Sequence, residues 1–164
     1  MAGKGRGIVV DSGLYWPNGL TLDKEKNRLY WVDASYDKLE YLDLYNNSRV
    51  TLISSSIILP HPFGLTLLGD YLYWTDWQRD TVYRANKDGA GDVNAFITGV
   101  GQPMDIHGYD LTKHMTPGTY NNFVVTTILR VCCLLSPFVF FPCFLSILST
   151  TSNLNVLTTM TRYK

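Results

Sequence analysis

One block of this sequence returns at a spacing in the low forties, and that repeat limits the fold more than any other feature. Pro17-Asn18-Gly19-Leu20-Thr21-Leu22 comes back 45 residues later as Pro62-Phe63-Gly64-Leu65-Thr66-Leu67. Tyr30-Trp31-Val32-Asp33 comes back 43 residues later as Tyr73-Trp74-Thr75-Asp76. A third copy opens at Pro103-Met104-Asp105-Ile106. A period of about 40–45 residues fits a propeller blade of four strands. Such units cannot bury their own apolar faces and must stack.

The local pattern agrees. Each copy is a series of short segments separated by Gly, Asn and Asp, the residues turns require. Strands are expected at 19–23, 28–33, 38–43 and 50–54, then at 64–68, 71–76, 81–86 and 92–97. Ile8–Asp11 reads as the outer strand of a preceding blade. Aromatic residues make up 13% of the chain, including 11 Tyr and 4 Trp, which favours β structure. The fold class is therefore all-β: blades at about 17–54 and 62–98 with a third beginning at about 103, inside a unit covering 1–110.

Equal numbers of basic and acidic residues, 14 of each, argue against a nucleic-acid partner. There is no Gly-x-Ser-x-Gly elbow and no His-Glu-x-x-His motif, and no cysteine has zinc spacing to a His pair. His107 and His114 lie seven apart and read as solvent-facing. No catalysis, cofactor or metal is expected. Gly5-Arg6-Gly7 and Asp88-Gly89-Ala90-Gly91 do not join a strand to a helix, so they read as turns rather than phosphate loops.

Tyr-Trp-x-Asp following x-Pro-x-Gly-Leu-Thr resembles the six-bladed YWTD propellers of the low-density-lipoprotein-receptor family. The stretches Trp16–Asp23, Leu29–Ala34, His61–Leu67, Tyr73–Trp77 and Pro103–Ile106 are most similar to the Wnt co-receptor branch. The resemblance implies a ligand-binding segment of a cell-surface receptor, on the extracellular side, as part of a longer protein. Its implied partners are extracellular proteins, Wnt-type ligands or their antagonists.

Tyr30, Trp31, Tyr73 and Trp74 sit on inner strands and are expected to pack between blades. Asp33 and Asp76 recur at one blade position with no second carboxylate nearby, which suits hydrogen bonding to neighbouring backbone. Gly19 and Gly64 read as points of close strand approach. Trp16, Asn18, His61, Phe63, Trp77 and Met104 flank the repeated core and form the candidate protein-binding set. They combine an apolar platform with a polar anchor, the composition of a binding hot spot. In the resembling receptors some ligands present a short peptide whose Asn meets the position matching Asn18. Packing as core caps is the alternative for Trp16 and Phe63. Asn46-Asn47-Ser48 is an N-glycosylation triplet in a turn expected at 44–49.

The composition changes near Met115. Residues 116–164 contain no Asp or Glu, and Cys132, Cys133 and Cys143 all lie there. Residues 111–122 read as a linker, 123–149 as a hydrophobic segment and 150–164 as a polar tail. The stretch 131–148 has 18 residues without a charge, enough to cross a membrane, but Pro137 and Pro142 interrupt it. Three readings stay open: a membrane helix, a tail foreign to the receptor, and buried soluble structure. The first would make the chain a truncated membrane-anchored protein with no ligand of its own. No signal peptide is visible, because the N-terminal apolar run is only Ile8-Val9-Val10.

Overall fold

The computed structural model describes residues 5–89, 91–110, 123–128, 146–150 and 157–160. Among them there is no helix. The first blade is an antiparallel meander of β1 (Pro17–Asp23), β2 (Arg28–Asp33), β3 (Lys38–Asp43) and β4 (Arg49–Ser54). The second repeats it with β5 (Pro62–Leu68), β6 (Tyr71–Asp76), β7 (Thr81–Asn86) and β8 (Asn94–Thr98). A third sheet continues from β9 (Asp105–Asp110) through β10 (Phe123–Ile128) and β11 (Ser146–Thr150) to β12 (Leu157–Met160).

The hairpins are set by one device used repeatedly. At the ends of β1, β2, β3 and β6 stand Asp23, Asp33, Asp43 and Asp76. Each uses Oδ1 to accept the backbone N–H groups two and three residues ahead. This fixes the turn, because the side chain replaces a backbone acceptor. Asn27, Asp37, Asn47 and Asp80 hold left-handed backbone within these turns, a conformation Asn and Asp tolerate best.

The inner strands β1, β5 and β9 lie side by side. A Cβ on Gly19 would stand 2.6 Å from the Phe63 carbonyl and 2.7 Å from Leu65 N. On Gly64 it would stand 2.8 Å from Ile106 N. Only glycine permits that approach. Two residues on, Thr21 Oγ1 accepts from Leu67 N at 3.2 Å and Thr66 Oγ1 accepts from Gly108 N at 2.9 Å. Each seam is therefore stitched by the same glycine and threonine of the repeat.

Apolar side chains fill the space between blades. Tyr30, Val32, Leu39 and Ile53 of the first blade pack with Leu65, Leu72, Trp74 and Ala85 of the second. Trp74 stacks on Tyr83 at 5.9 Å. Leu68, Tyr73 and Val82 pack with Ile106 of β9. Trp31 is buried on the opposite face of blade 1, beneath the Arg49 guanidinium at 5.2 Å. Arg49 in turn donates to the carbonyls of Ser12 and Gly13, strapping the N-terminal segment over that face.

One expectation is corrected. Ile8–Asp11 is not a strand; Ile8 and Val9 are exposed, and the segment joins none of the described sheets. Phe123–Ile128 and Ser146–Thr150, at the two ends of the hydrophobic segment, are strands, and the spanning-helix reading of the stretch between them falls outside the described residues. The β-branched run Val124-Val125-Thr126-Thr127-Ile128 pairs with β9 in register, Val124 opposite Tyr109 and Thr127 opposite Ile106. Among the described residues no helix is long and apolar enough to cross a membrane. Residues 129–145, with the three cysteines, and His114 lie outside the described residues.

Candidate functional site

Pro17 pairs with Asp33 and Pro62 with Asp76. The segments before β1 and β5 therefore share an end with the turns after β2 and β6. The seam contacts run in the same order along β1 and β5, so both blades turn this end the same way. Trp16, His61 and Met104 precede an inner strand, Asn18 and Phe63 are the second residues of β1 and β5, and Trp77 follows β6, so all six candidate binding residues lie at this end.

They form two groups with a polar residue between. On blade 1, Trp16 is 56% exposed, with its ring 5.8 Å from Tyr15. Tyr15 meets Tyr36 edge-on at 6.3 Å, and the Lys38 ammonium stands 5.4 Å over Tyr36. On blade 2, His61 meets Trp77 edge-on at 5.4 Å, and Trp77 is 39% exposed. Asn18 sits at the seam, where its Nδ2 donates to the Pro62 carbonyl at 3.2 Å. That bond spans the two blades and fixes the carboxamide, leaving Oδ1 and one N–H open. Phe63 and Met104 are half-buried. The Met104 carbonyl accepts from Thr75 Oγ1 at 2.7 Å, while that oxygen accepts from Gly64 N at 2.8 Å.

The sequence reading missed Tyr15 and Tyr36, which belong to the exposed aromatic surface. Their repeat mates are Pro60 and Arg79, so they break the repeat and carry no motif signal. Large aromatics at turn positions beside the motif were the one available clue.

The two motif aspartates behave differently. Asp33 Oδ2 accepts from Tyr15 N at 2.7 Å, and its Oδ1 accepts from Trp16, Ser35 and Tyr36 N–H groups. Burial pushes this carboxyl up, but the four donors outweigh it and hold it below its ordinary 3.8. Asp76 is 1% exposed, and its Oδ2 has no hydrogen-bond partner among the described residues. Position 60 matches Tyr15 and is a proline, which has no N–H to give. His61 Nδ1, next along the chain, is likewise buried without a partner.

The far end of the same seam is ionic. Lys87 is buried, 3.0 Å from Asp23 Oδ2 and 3.9 Å from both Glu25 and Asp70. Burial lowers its pKa, but Asp23 and the other carboxylates outweigh this and raise it. Asp23 is pushed up by burial and held low on balance by Lys87 and two backbone donors. Tyr30 Oη donates to the Lys87 carbonyl at 3.2 Å, and Asp88 takes both Lys26 and Arg28. One end of the seam is thus clamped by charge, and the other is open and aromatic. Among the described residues no group of His, Cys, Asp and Glu is arranged to hold a metal.

No protein-family model matches the chain. A human low-density lipoprotein receptor-related protein 5-like protein is 45% identical over 80 residues, 49% of this chain and 31% of that protein. Human low-density lipoprotein receptor-related protein 4 is 43% identical over 91 residues, 56% of this chain and 5% of that protein. The mouse protein of that name is 41% identical over the same length. The aligned part of the chain is thus less than a third of the first relative and about a twentieth of the others. Among solved structures, a chain of the nidogen/laminin complex superposes with a TM-score of 0.58 at 22% identity. The match covers 85% of this chain and 50% of that one, and at this identity it is a likeness of fold.

Proposed function

We propose that the propeller unit of about residues 1–110, a YWTD propeller of the low-density-lipoprotein-receptor-related family, forms an extracellular protein-binding segment of a receptor. The binding face is the aromatic end, and the ligands are Wnt-type proteins or their antagonists. The observation that carries this reading is the constellation itself. Exposed aromatic rings on two blades flank Asn18, whose carboxamide is held in place by Pro62 with an acceptor and a donor open. A rigid amphipathic surface around a fixed polar anchor loses little entropy on binding. Catalysis has no part in the reading.

The test is a binding assay on the full 164-residue chain with a panel of secreted Wnt antagonists and synthetic peptides bearing a central Asn. Binding is expected, with Trp16→Ala, Asn18→Ala and Trp77→Ala each weakening it by about 30-fold, the effect of a 2 kcal/mol hot spot. A folded chain that binds none of them, or binds equally after all three substitutions, refutes the proposal. The anchored form without a ligand would then be the better account.

A further inference from the structure

β3 starts at the aromatic end and finishes at Asp43, so the turn 44–48 stands at the opposite end of blade 1. We propose that Asn46 in this turn is an N-glycan acceptor, and that the Tyr45 ring is the shelf on which the first sugar rests.

Asn46-Asn47-Ser48 is the one Asn-x-Ser/Thr triplet in the chain, and Asn47 is not proline. The fold presents it well. Asn46, Asn47 and Ser48 are all exposed. Asp43 Oδ1 accepts from Tyr45 N at 2.9 Å and Asn46 N at 3.3 Å, and Asn47 adopts left-handed backbone. Asn46 Oδ1 is occupied by the Ser48 N–H at 2.9 Å. Its Nδ2 makes no hydrogen bond to a described residue, and that is the atom a glycan takes. A glycan here therefore breaks no native contact. Tyr45 supplies a second observation. Its ring is 89% exposed, and no described residue stacks on it. An aromatic of that size left bare beside the acceptor offers an apolar surface to the face of a sugar ring.

The chemistry needs a lipid-pyrophosphate-linked oligosaccharide as co-reactant. Asn46 Nδ2 attacks the anomeric carbon, and a C–N bond forms as the C–O bond to pyrophosphate breaks. The lipid pyrophosphate leaves, and Nδ2 gives up one proton to the transferring enzyme; nothing is oxidised or reduced. A glycan so placed lies across the blade from Trp16 and Asn18 and leaves the aromatic end open. The inference needs only passage through the secretory pathway, so it stands or falls apart from the ligand reading.

The experiment expresses the full chain behind a cleavable secretion leader in mammalian cells, with a C-terminal tag carrying its own acceptor triplet. Only molecules with a glycosylated tag, which have entered the pathway, are scored. A second glycan is expected on them, removed by peptide N-glycosidase, lost in Asn46→Gln and Ser48→Ala, and more complete in Ser48→Thr. Recovery of unmodified Asn46 from those molecules overturns the proposal. The glycosylated chain is also expected to unfold at a higher temperature than the Asn46→Gln chain, by a margin that Tyr45→Ala removes. A margin that survives Tyr45→Ala overturns the role of the ring.

Discussion

Pro60 deprives a buried carboxylate of a donor, and restoring it should stabilise the fold. Asp33 and Asp76 occupy one position in two copies of the repeat, yet only Asp33 Oδ2 has a partner, Tyr15 N at 2.7 Å. Pro60→Ala returns an N–H at the matching place. A hydrogen bond to a charged group contributes about 1.5–3 kcal/mol. Losing proline frees the unfolded chain and costs about 0.4–1 kcal/mol. The net gain expected is about 1–2 kcal/mol. With a urea slope of about 2 kcal/mol per molar, the midpoint of unfolding should rise by about 0.5–1 M at unchanged slope. The mirror substitution, Tyr15→Pro, should cost about 2 kcal/mol, while Tyr15→Ala, which keeps the N–H, should cost less. In an Asp76→Ala background, Pro60→Ala should give no gain, since no acceptor remains. A Pro60→Ala midpoint that stays put or falls refutes the reasoning, as does an equal gain in both backgrounds.

The remaining predictions concern the seam and the charges. Gly19→Ala forces a Cβ to within 2.6 Å of a backbone carbonyl that has no flexible end to move, so it should lose about 3 kcal/mol by urea unfolding or fail to fold. Lys87→Met leaves Asp23 buried without its cation and should cost about 3–5 kcal/mol in the same assay. Asp23 and Asp33 have pKa values lowered from 3.8, so their contribution is complete above that value and is lost as pH falls through the lower folded one. Lys87 has a pKa raised from 10.5, so its contribution is complete below that value and is lost as pH rises through the higher folded one. Unfolding free energy should therefore be flat between about pH 5 and 9, falling below about 4 and again above about 11.

The all-β class was legible because the repeat, the turn residues and the aromatic content all point the same way. The turn aspartates and the seam glycines were legible for a related reason: each recurs at a fixed blade position. What escaped was whatever departs from the repeat. Tyr15, Tyr36 and Pro60 have no counterpart of their own kind, and between them they add to the exposed surface and orphan Asp76 Oδ2. The Lys87 clamp was also hidden, because it joins a residue after β7 to one at the end of β1, and no local pattern links them. Nor could composition tell helix from strand at the two described ends of the apolar segment, Phe123–Ile128 and Ser146–Thr150. Pairing with β9 decides the first of those strands, and pairing is not written in the stretch itself.

Leu20 and Leu65 carry this distinction furthest. They hold the same place in the repeat, on neighbouring inner strands with nearly identical flanking residues. Leu65 is 5% exposed, packed among Tyr30, Val32 and Leu39 of the blade before it; Leu20 is 64% exposed. Burying a leucine contributes about 1.5–3 kcal/mol, so one residue type at one repeat position differs by that much according to its neighbour alone. Leu65→Ala should cost about 2–5 kcal/mol in unfolding free energy, and Leu20→Ala no more than about 0.5 kcal/mol. Equal losses would mean that Leu20 is covered in solution, with a surface like the trailing face of blade 1 lying against it. The repeat thus specifies the shape that each blade presents to the next. Whether that shape stabilises anything depends on what stands opposite.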